Sequence, residues 1–124
     1  PNLNELKQLS GNNIISENDI NESCKVILKK YNLKYIIAKR GEEGITIIGN
    51  NDYIKYLKAR FVETPDVTGA GDTVISSISL AFAVTNDIEK SAEFAINASA
   101  LAVSKPGTAT VTIDEINNYI NTNE

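Results

Sequence analysis

The chain has 124 residues, of which 42% are hydrophobic and 23% charged, so it fits one domain with a moderate core rather than a disordered segment. Its formal charge is −4 with no block of Lys or Arg, which argues against nucleic acid or an anionic membrane as the main partner. There is no histidine, which excludes a Ser-His-Asp triad, Cys-His catalysis and His-based zinc sites within the chain; acid–base chemistry would fall to carboxylates or Lys.

Cys24 is the single cysteine, so there is no internal disulfide framework, and a cytoplasmic location is expected. No apolar run is long enough to span a bilayer and no signal peptide is visible. Pro1 is not a natural initiator, and Pro1-Asn2-Leu3-Asn4-Glu5 reads like the inside of a domain, so the chain is expected to be a fragment.

Leu3, Leu6 and Leu9 recur every three residues and predict a short helix after Pro1, ended by Gly11-Asn12-Asn13. Asn2 and Glu5 read as its cap and first turn, or alternatively as a polar pair facing Mg²⁺-bound phosphate through water. Ser16 to Tyr31 predicts a second helix. Ser16 and Asp19 have capping-box spacing, and Ile20, Cys24, Ile27, Leu28 and Tyr31 form its apolar stripe. Cys24 lies on that stripe with no cationic neighbour and reads as a core cysteine, not a reactive one.

Tyr35-Ile36-Ile37-Ala38 predicts a buried strand, the start of an α/β unit. Arg40 to Gly44 is a turn, Ile45 to Ile48 a second strand, Gly49-Asn50-Asn51-Asp52 a hairpin turn, and Tyr53 to Leu57 the partner strand. Gly41 and Gly44 read as plain turn glycines, or Gly41 lets backbone approach a nucleotide phosphate. Ala59 to Pro65 leads extended into Asp66-Val67-Thr68-Gly69-Ala70-Gly71-Asp72, and Gly69 to Ala83 predicts an apolar, small-residue helix buried against a sheet. Thr85-Asn86-Asp87 is a turn and cap, and Ile88 to Val103 an Ala-rich helix. Asn97 on that helix is a satisfied buried polar group, an exposed residue, or the border of an adenine pocket. Lys105 to Thr108 is a turn. Thr112 and Glu115 have capping-box spacing for a last helix striped by Ile113, Ile116 and Ile120, followed by a polar tail from Asn121 to Glu124.

The chemistry concentrates at residues 66–72. A Gly-x-Gly turn opening a helix presents free N–H groups at the positive end of a helix dipole, a ready anion site. A carboxylate there, Asp72, repels a phosphate unless it serves as a general base for an attacking hydroxyl. The chain lacks G-x-x-x-x-G-K-[ST], and Gly69-Ala70-Gly71-Asp72-Thr73-Val74 ends in Val where a dinucleotide fingerprint needs Gly or Ala. A protein-kinase loop would also need an H-R-D motif.

Asp66-Val67-Thr68-Gly69-Ala70-Gly71-Asp72 closely resembles the D-T-x-G-A-G-D signature of the ribokinase-like (PfkB) sugar kinases, with Val67 for the usual Thr. Asn2-Leu3-Asn4-Glu5 is similar to that family's N-x-x-E, and Lys39-Arg40-Gly41-Glu42-Glu43-Gly44 to its T-x-G-x-x-G loop, with Lys39 for Thr. Gly71 to Ile75, with Lys105 to Val111, resembles the subgroup of heptose 7-phosphate kinases. The resemblance implies the C-terminal, ATP-binding part (residues 1–124) of a three-layer α/β/α domain, with the N-terminal sugar-binding part and lid absent.

It also implies ATP-dependent phosphorylation of a sugar hydroxyl, for the subgroup the C1 hydroxyl of D-glycero-D-manno-heptose 7-phosphate in lipopolysaccharide precursor synthesis. Asp72 would be the base, and the amides of Gly69, Ala70 and Gly71 the anion cradle. Lys39, Gly41, Gly44, Thr68, Asn97 and Ala100 would border ATP. Asn2 and Glu5 would position Mg²⁺ through water, and Asp66, Thr68 and Gly107 resemble a monovalent-cation site suited to K⁺. The partners implied are ATP, a phosphorylated sugar and, for the full-length protein, a second copy. The fragment is expected to have little activity alone and to leave an apolar face exposed. Alternatives are another PfkB sugar or nucleoside kinase, or a non-catalytic nucleotide-binding module, against which Asp72 speaks.

Overall fold

The computed structural model describes residues 1–123; the last residue of the expected tail, Glu124, lies outside them. The chain forms two compact units, Pro1–Lys58 and Ala59–Glu124.

The first unit holds helix α1 (Leu3–Ser10), helix α2 (Glu17–Tyr31) and an antiparallel sheet of β1 (Tyr35–Lys39), β2 (Ile45–Gly49) and β3 (Ile54–Leu57) in that order. Local chemistry sets its helix ends. Ser16 Oγ accepts from the Asp19 N–H while Asp19 Oδ2 accepts from the Ser16 N–H, a reciprocal cap that satisfies two otherwise orphaned donors. α1 stops at Gly11 and α2 at Asn32, both left-handed, with φ of 73° and 51°.

β1 pairs with β2 from Tyr35 opposite Gly49 to Lys39 opposite Ile45, and β2 pairs with β3 from Ile45 opposite Leu57 to Ile48 opposite Ile54. β2 is central and all five of its residues are buried, which is why it is Ile-rich on both faces, with Thr46 a buried polar exception. The core joins Leu6, Ile20, Cys24, Ile27, Leu28, Ile36, Ala38 and Ile48, with Leu3 and Ile14 packed on its edge. Tyr31, expected in the α2 stripe, is instead 51% exposed, and Ser23 takes a fully buried place. Leu9 is likewise exposed, because α1 turns that face outward.

The second unit is helical: α3 (Ala70–Thr85), α4 (Ile88–Val103) and α5 (Ile113–Asn123). Asp87 caps α4, its Oδ1 accepting from the N–H groups of Glu89 and Lys90, both at 3.1 Å. Thr112 and Glu115 exchange the expected reciprocal bonds at 2.8 and 3.2 Å. α5 runs through Asn121 and Thr122, so those residues of the expected tail are helical. Small residues on α4 (Ala92, Ala95, Ala98) are fully buried and let α3 approach closely.

The expectation that α3 lies buried against a sheet needs correction. α3 packs on α4, and the unit contains no strand among the described residues. Only Val74 and Ile78 are buried on α3, whereas Ile75, Leu80 and Val84 are 47%, 57% and 80% exposed. One helix neighbour covers one stripe, and α3 is apolar on more than one. An apolar face is therefore exposed, as expected.

Candidate active site

In the second unit the 66–72 stretch is braced from both sides. The Asp66 N–H donates to Val103 O at 2.8 Å, which ties the stretch to the end of α4. The Asp66 carboxylate accepts from the Gly107 N–H at 2.6 Å and the Thr68 N–H at 3.1 Å. Hydrogen bonds from the Thr68 side chain, the Gly107 amide and the Thr68 amide hold this carboxyl below its ordinary pKa, so it stays ionised at neutral pH. Asp66 thus links the approach segment to the Lys105–Thr108 turn, where Gly107 is left-handed at φ 71°.

Gly69 occupies the cap of α3 at φ 76°, with no side-chain cap hydrogen bond. At that φ an L side chain is strained, and a Cβ there would also sit 3.2 Å from Thr108 Cγ2, which would have to shift by a few tenths of an ångström. The Gly69 carbonyl accepts from the N–H groups of Asp72 and Thr73, at 3.1 and 3.0 Å, and from Thr73 Oγ1 at 3.3 Å. The Ala70 N–H differs from the expectation of an open cradle: it donates to Val67 O at 3.1 Å, because the tight turn at Thr68-Gly69 folds that carbonyl back toward the helix. The amides of Gly69 and Gly71 have no acceptor among the described residues. Asp72 is exposed in the first turn, and its carboxylate has no hydrogen bond or ion pair among the described residues. The arrangement is two donors and a free carboxylate at the positive end of a helix, suited to holding an anion and taking a proton beside it.

On α4, Asn97 is 7% exposed with both ends of its amide engaged: Nδ2 donates to Glu93 O at 2.9 Å, and Oδ1 accepts from Arg60 Nε at 3.2 Å. Ala100, one turn on, is buried. Thr68 is exposed.

In the first unit, Asn2 and Glu5 form the cap of α1. The Asn2 N–H donates to Glu5 Oε2 at 2.6 Å and the Glu5 N–H to Asn2 Oδ1 at 2.9 Å. Both side chains are exposed and each keeps further lone pairs for water. The Lys39 N–H donates to Pro1 O at 2.8 Å, placing the chain start beside the end of β1. The loop that follows is a 3₁₀ turn (Gly41–Glu43) between left-handed glycines, Gly41 at φ 61° and Gly44 at φ 101°. Arg40, read from sequence only as a turn residue, has its guanidinium buried against Tyr56 with Glu17 and Glu43 as partners. Thr108, the neighbour of Gly69, was also a plain turn residue in sequence; neither contact leaves a local signal.

Among the described residues no group of three or more His, Cys, Asp or Glu could hold a metal ion. A metal here would depend on phosphate oxygens and water for most of its ligands, the usual habit of Mg²⁺. A shallow hollow lined by Asn4, Lys7, Gln8, Gly11, Asn12 and Asn13 contains none of the expected site residues.

The family profile of pfkB carbohydrate kinases matches residues 1–115. The bifunctional protein HldE of Aliarcobacter butzleri is 41% identical over 121 residues, covering 96% of this chain and 25% of that protein. The chain thus spans about a quarter of that relative's length. Among solved structures, Arabidopsis thaliana ribokinase complexed with ribose and ATP superposes at a TM-score of 0.88 with 22% identity, over 97% of this chain and 39% of that one. A putative ribokinase II from E. coli, in complex with ATP and Mg²⁺, gives 0.79 with 26% identity over 98% and 38%. Phosphofructokinase-2 from Escherichia coli, in complex with potassium, gives 0.85 with 20% identity over 100% and 40%.

Proposed function

The chain belongs to the pfkB family of carbohydrate kinases, and from that premise we propose that it is the C-terminal, ATP-binding part of a sugar kinase domain whose sugar-binding part and lid lie in other residues. The observation that carries the reading is Asp72, an exposed carboxylate with no partner among the described residues, beside the unengaged amides of Gly69 and Gly71. A carboxylate at this third helical position that served only as a cap would bond back to the N–H of the cap residue, as Asp19 does at the start of α2.

In the proposed reaction Asp72 takes the proton of a sugar hydroxyl as its oxygen attacks the γ-phosphorus of ATP. The bond to the β-phosphate bridging oxygen breaks and ADP leaves. The amides of Gly69 and Gly71 stabilise charge on the transferring group; losing one such donor costs on the order of 3 kcal/mol in other enzymes. The Ala70 amide would join them only after leaving Val67 O. Lys39, Gly41, Gly44, Thr68, Asn97 and Ala100 would border the nucleotide.

When bound, Mg²⁺ supplies charge neutralisation across the phosphates; Asn2 and Glu5, exposed with spare lone pairs, fit a role through water. Asp66, held ionised, fits a monovalent-cation site with Thr68 and the backbone near Gly107. The substrate we propose is D-glycero-D-manno-heptose 7-phosphate, converted to the 1,7-bisphosphate in the cytoplasm by a homodimeric full-length enzyme. Supporting the choice of sugar is the 41% identity to HldE against 22–26% to the ribokinases.

The test is Asp72→Asn in the full-length kinase bearing this sequence. Turnover should collapse while ATP binding persists; unchanged turnover removes Asp72 from the mechanism. A panel of ribose, fructose 6-phosphate, adenosine and heptose 7-phosphate separates this subgroup from its relatives. Robust phosphorylation of heptose 7-phosphate by the 124-residue chain alone would overturn the proposal that it is only part of a site.

A further inference from the structure

The Gly41–Gly44 loop has few side chains to hold it. Glu42 and Glu43 are exposed, and neither glycine has a side chain to anchor it. The Lys39–Ile45 strand pair fixes its two ends, and its own hydrogen bonds, from the Arg40 N–H to Gly44 O at 2.8 Å and from the Gly44 N–H to Gly41 O at 3.0 Å, set its shape, but neither fixes the lie of its tip on the unit.

Its place is set by Arg40. The Arg40 side chain is only 6% exposed and pairs with Glu17 at 2.6 Å and with Glu43. Its Nη1 lies 3.5 Å from Thr46 Oγ1, and the guanidinium carbon sits 4.5 Å from the centre of the Tyr56 ring. The Tyr56 hydroxyl donates to the same Glu17 Oε1 at 2.6 Å, which closes a ring of contacts. Glu17 opens α2, Thr46 lies on β2 and Tyr56 on β3, so one cation ties the loop to three elements.

Burying a guanidinium is costly, more so because Arg40 Nε has no hydrogen-bond partner among the described residues. A loop that only needed a positive charge would leave it in water. The planar fork and the stacking on an aromatic ring are also features a lysine cannot reproduce.

We infer that Arg40 is a positioning residue: through Glu43, Glu17 and Tyr56 it holds the Gly41–Gly44 loop in the place from which its backbone meets the nucleotide. The inference rests on the proposed assignment of that loop to ATP, and the experiment separates the two. In the full-length kinase, Arg40→Lys keeps the charge and removes the fork. Amide hydrogen exchange at Glu43 and Gly44 should accelerate about tenfold. KM for ATP should rise by roughly tenfold, with kcat and the sugar KM within about twofold.

Unchanged exchange at Glu43 and Gly44 overturns the role of Arg40. Faster exchange with an unchanged KM for ATP overturns the assignment of the loop to the nucleotide. A parallel loss in kcat and in both KM values shows a merely structural role and also overturns the inference. Should Arg40→Lys fail to fold, Glu43→Ala and Tyr56→Phe each remove one contact from an exposed partner and are read the same way, with smaller shifts in the same direction.

Discussion

Gly69→Ala is the perturbation for which the structure gives the most definite magnitude. Gly69 sits at φ 76°, ψ 4°. Placing an L-residue in the left-handed region costs roughly 1–2 kcal/mol. Replacing glycine also restricts the unfolded chain, which returns about 0.5 kcal/mol. The new Cβ would meet Thr108 Cγ2 at 3.2 Å, a contact that requires the neighbour to give by a few tenths of an ångström. Thr108 is exposed on a turn and can move, so this contact adds about 0.5 kcal/mol rather than the cost of a core clash.

The net expectation is a destabilisation of about 1.5 kcal/mol, which at an m-value of about 1.5 kcal/mol/M lowers the urea midpoint by about 1 M. With no Trp in the chain, far-ultraviolet circular dichroism is the probe of choice. Thr108→Ser removes the offending methyl; in the Gly69→Ala background it should restore about 0.5 kcal/mol, while alone it is nearly neutral. A midpoint shift below about 0.3 M would refute the claim that Gly69 is required by conformation. Failure of Thr108→Ser to recover any stability would refute the contact with Thr108.

Other predictions concern acid stability, the core and the thiol. The Asp66 carboxyl is held below its ordinary value of 3.8, so its contribution is present above that pH and is lost as the pH falls through the lower folded value. Asp66→Asn should therefore blunt the fall in urea midpoint below pH 3.8 relative to the unsubstituted chain, as measured by midpoints across the acid range. Leu6 is fully buried in the first unit, and Leu6→Ala should cost about 3 kcal/mol in denaturant unfolding. Burial pushes the Cys24 thiol up to about 11. Iodoacetamide at pH near 8 should thus label Cys24 only as fast as the chain opens, and at once in denaturant, with mass spectrometry as the readout.

The features legible in the amino-acid order are those decided within about four residues. The pairs Ser16 with Asp19 and Thr112 with Glu115 could be read as caps because donor and acceptor are three positions apart. The hairpin at Gly49–Asp52 could be read because its turn conformation belongs to residues that tolerate it, with Asn51 and Asp52 left-handed. The 66–72 motif could be read as a glycine turn into a helix for the same reason. Asn2 and Glu5 could be read two ways, and the structure shows them capping α1.

Other features depended on residues distant in sequence. α3 is apolar around much of its circumference, and its order of residues does not say which stripe a single helix neighbour will cover; packing on α4 buries Val74 and Ile78 and leaves Leu80 and Val84 in solvent. Asp66 finds Gly107 across 41 positions, and Arg40 finds Glu17 across 23. Periodicity and capping patterns carry no trace of such pairings, because the energy that makes them is gained only once separate elements have packed. The glycine turn into α3 was therefore written locally, while the bracing that holds it, and the cation packed beside the other glycine loop, were decided by the tertiary structure.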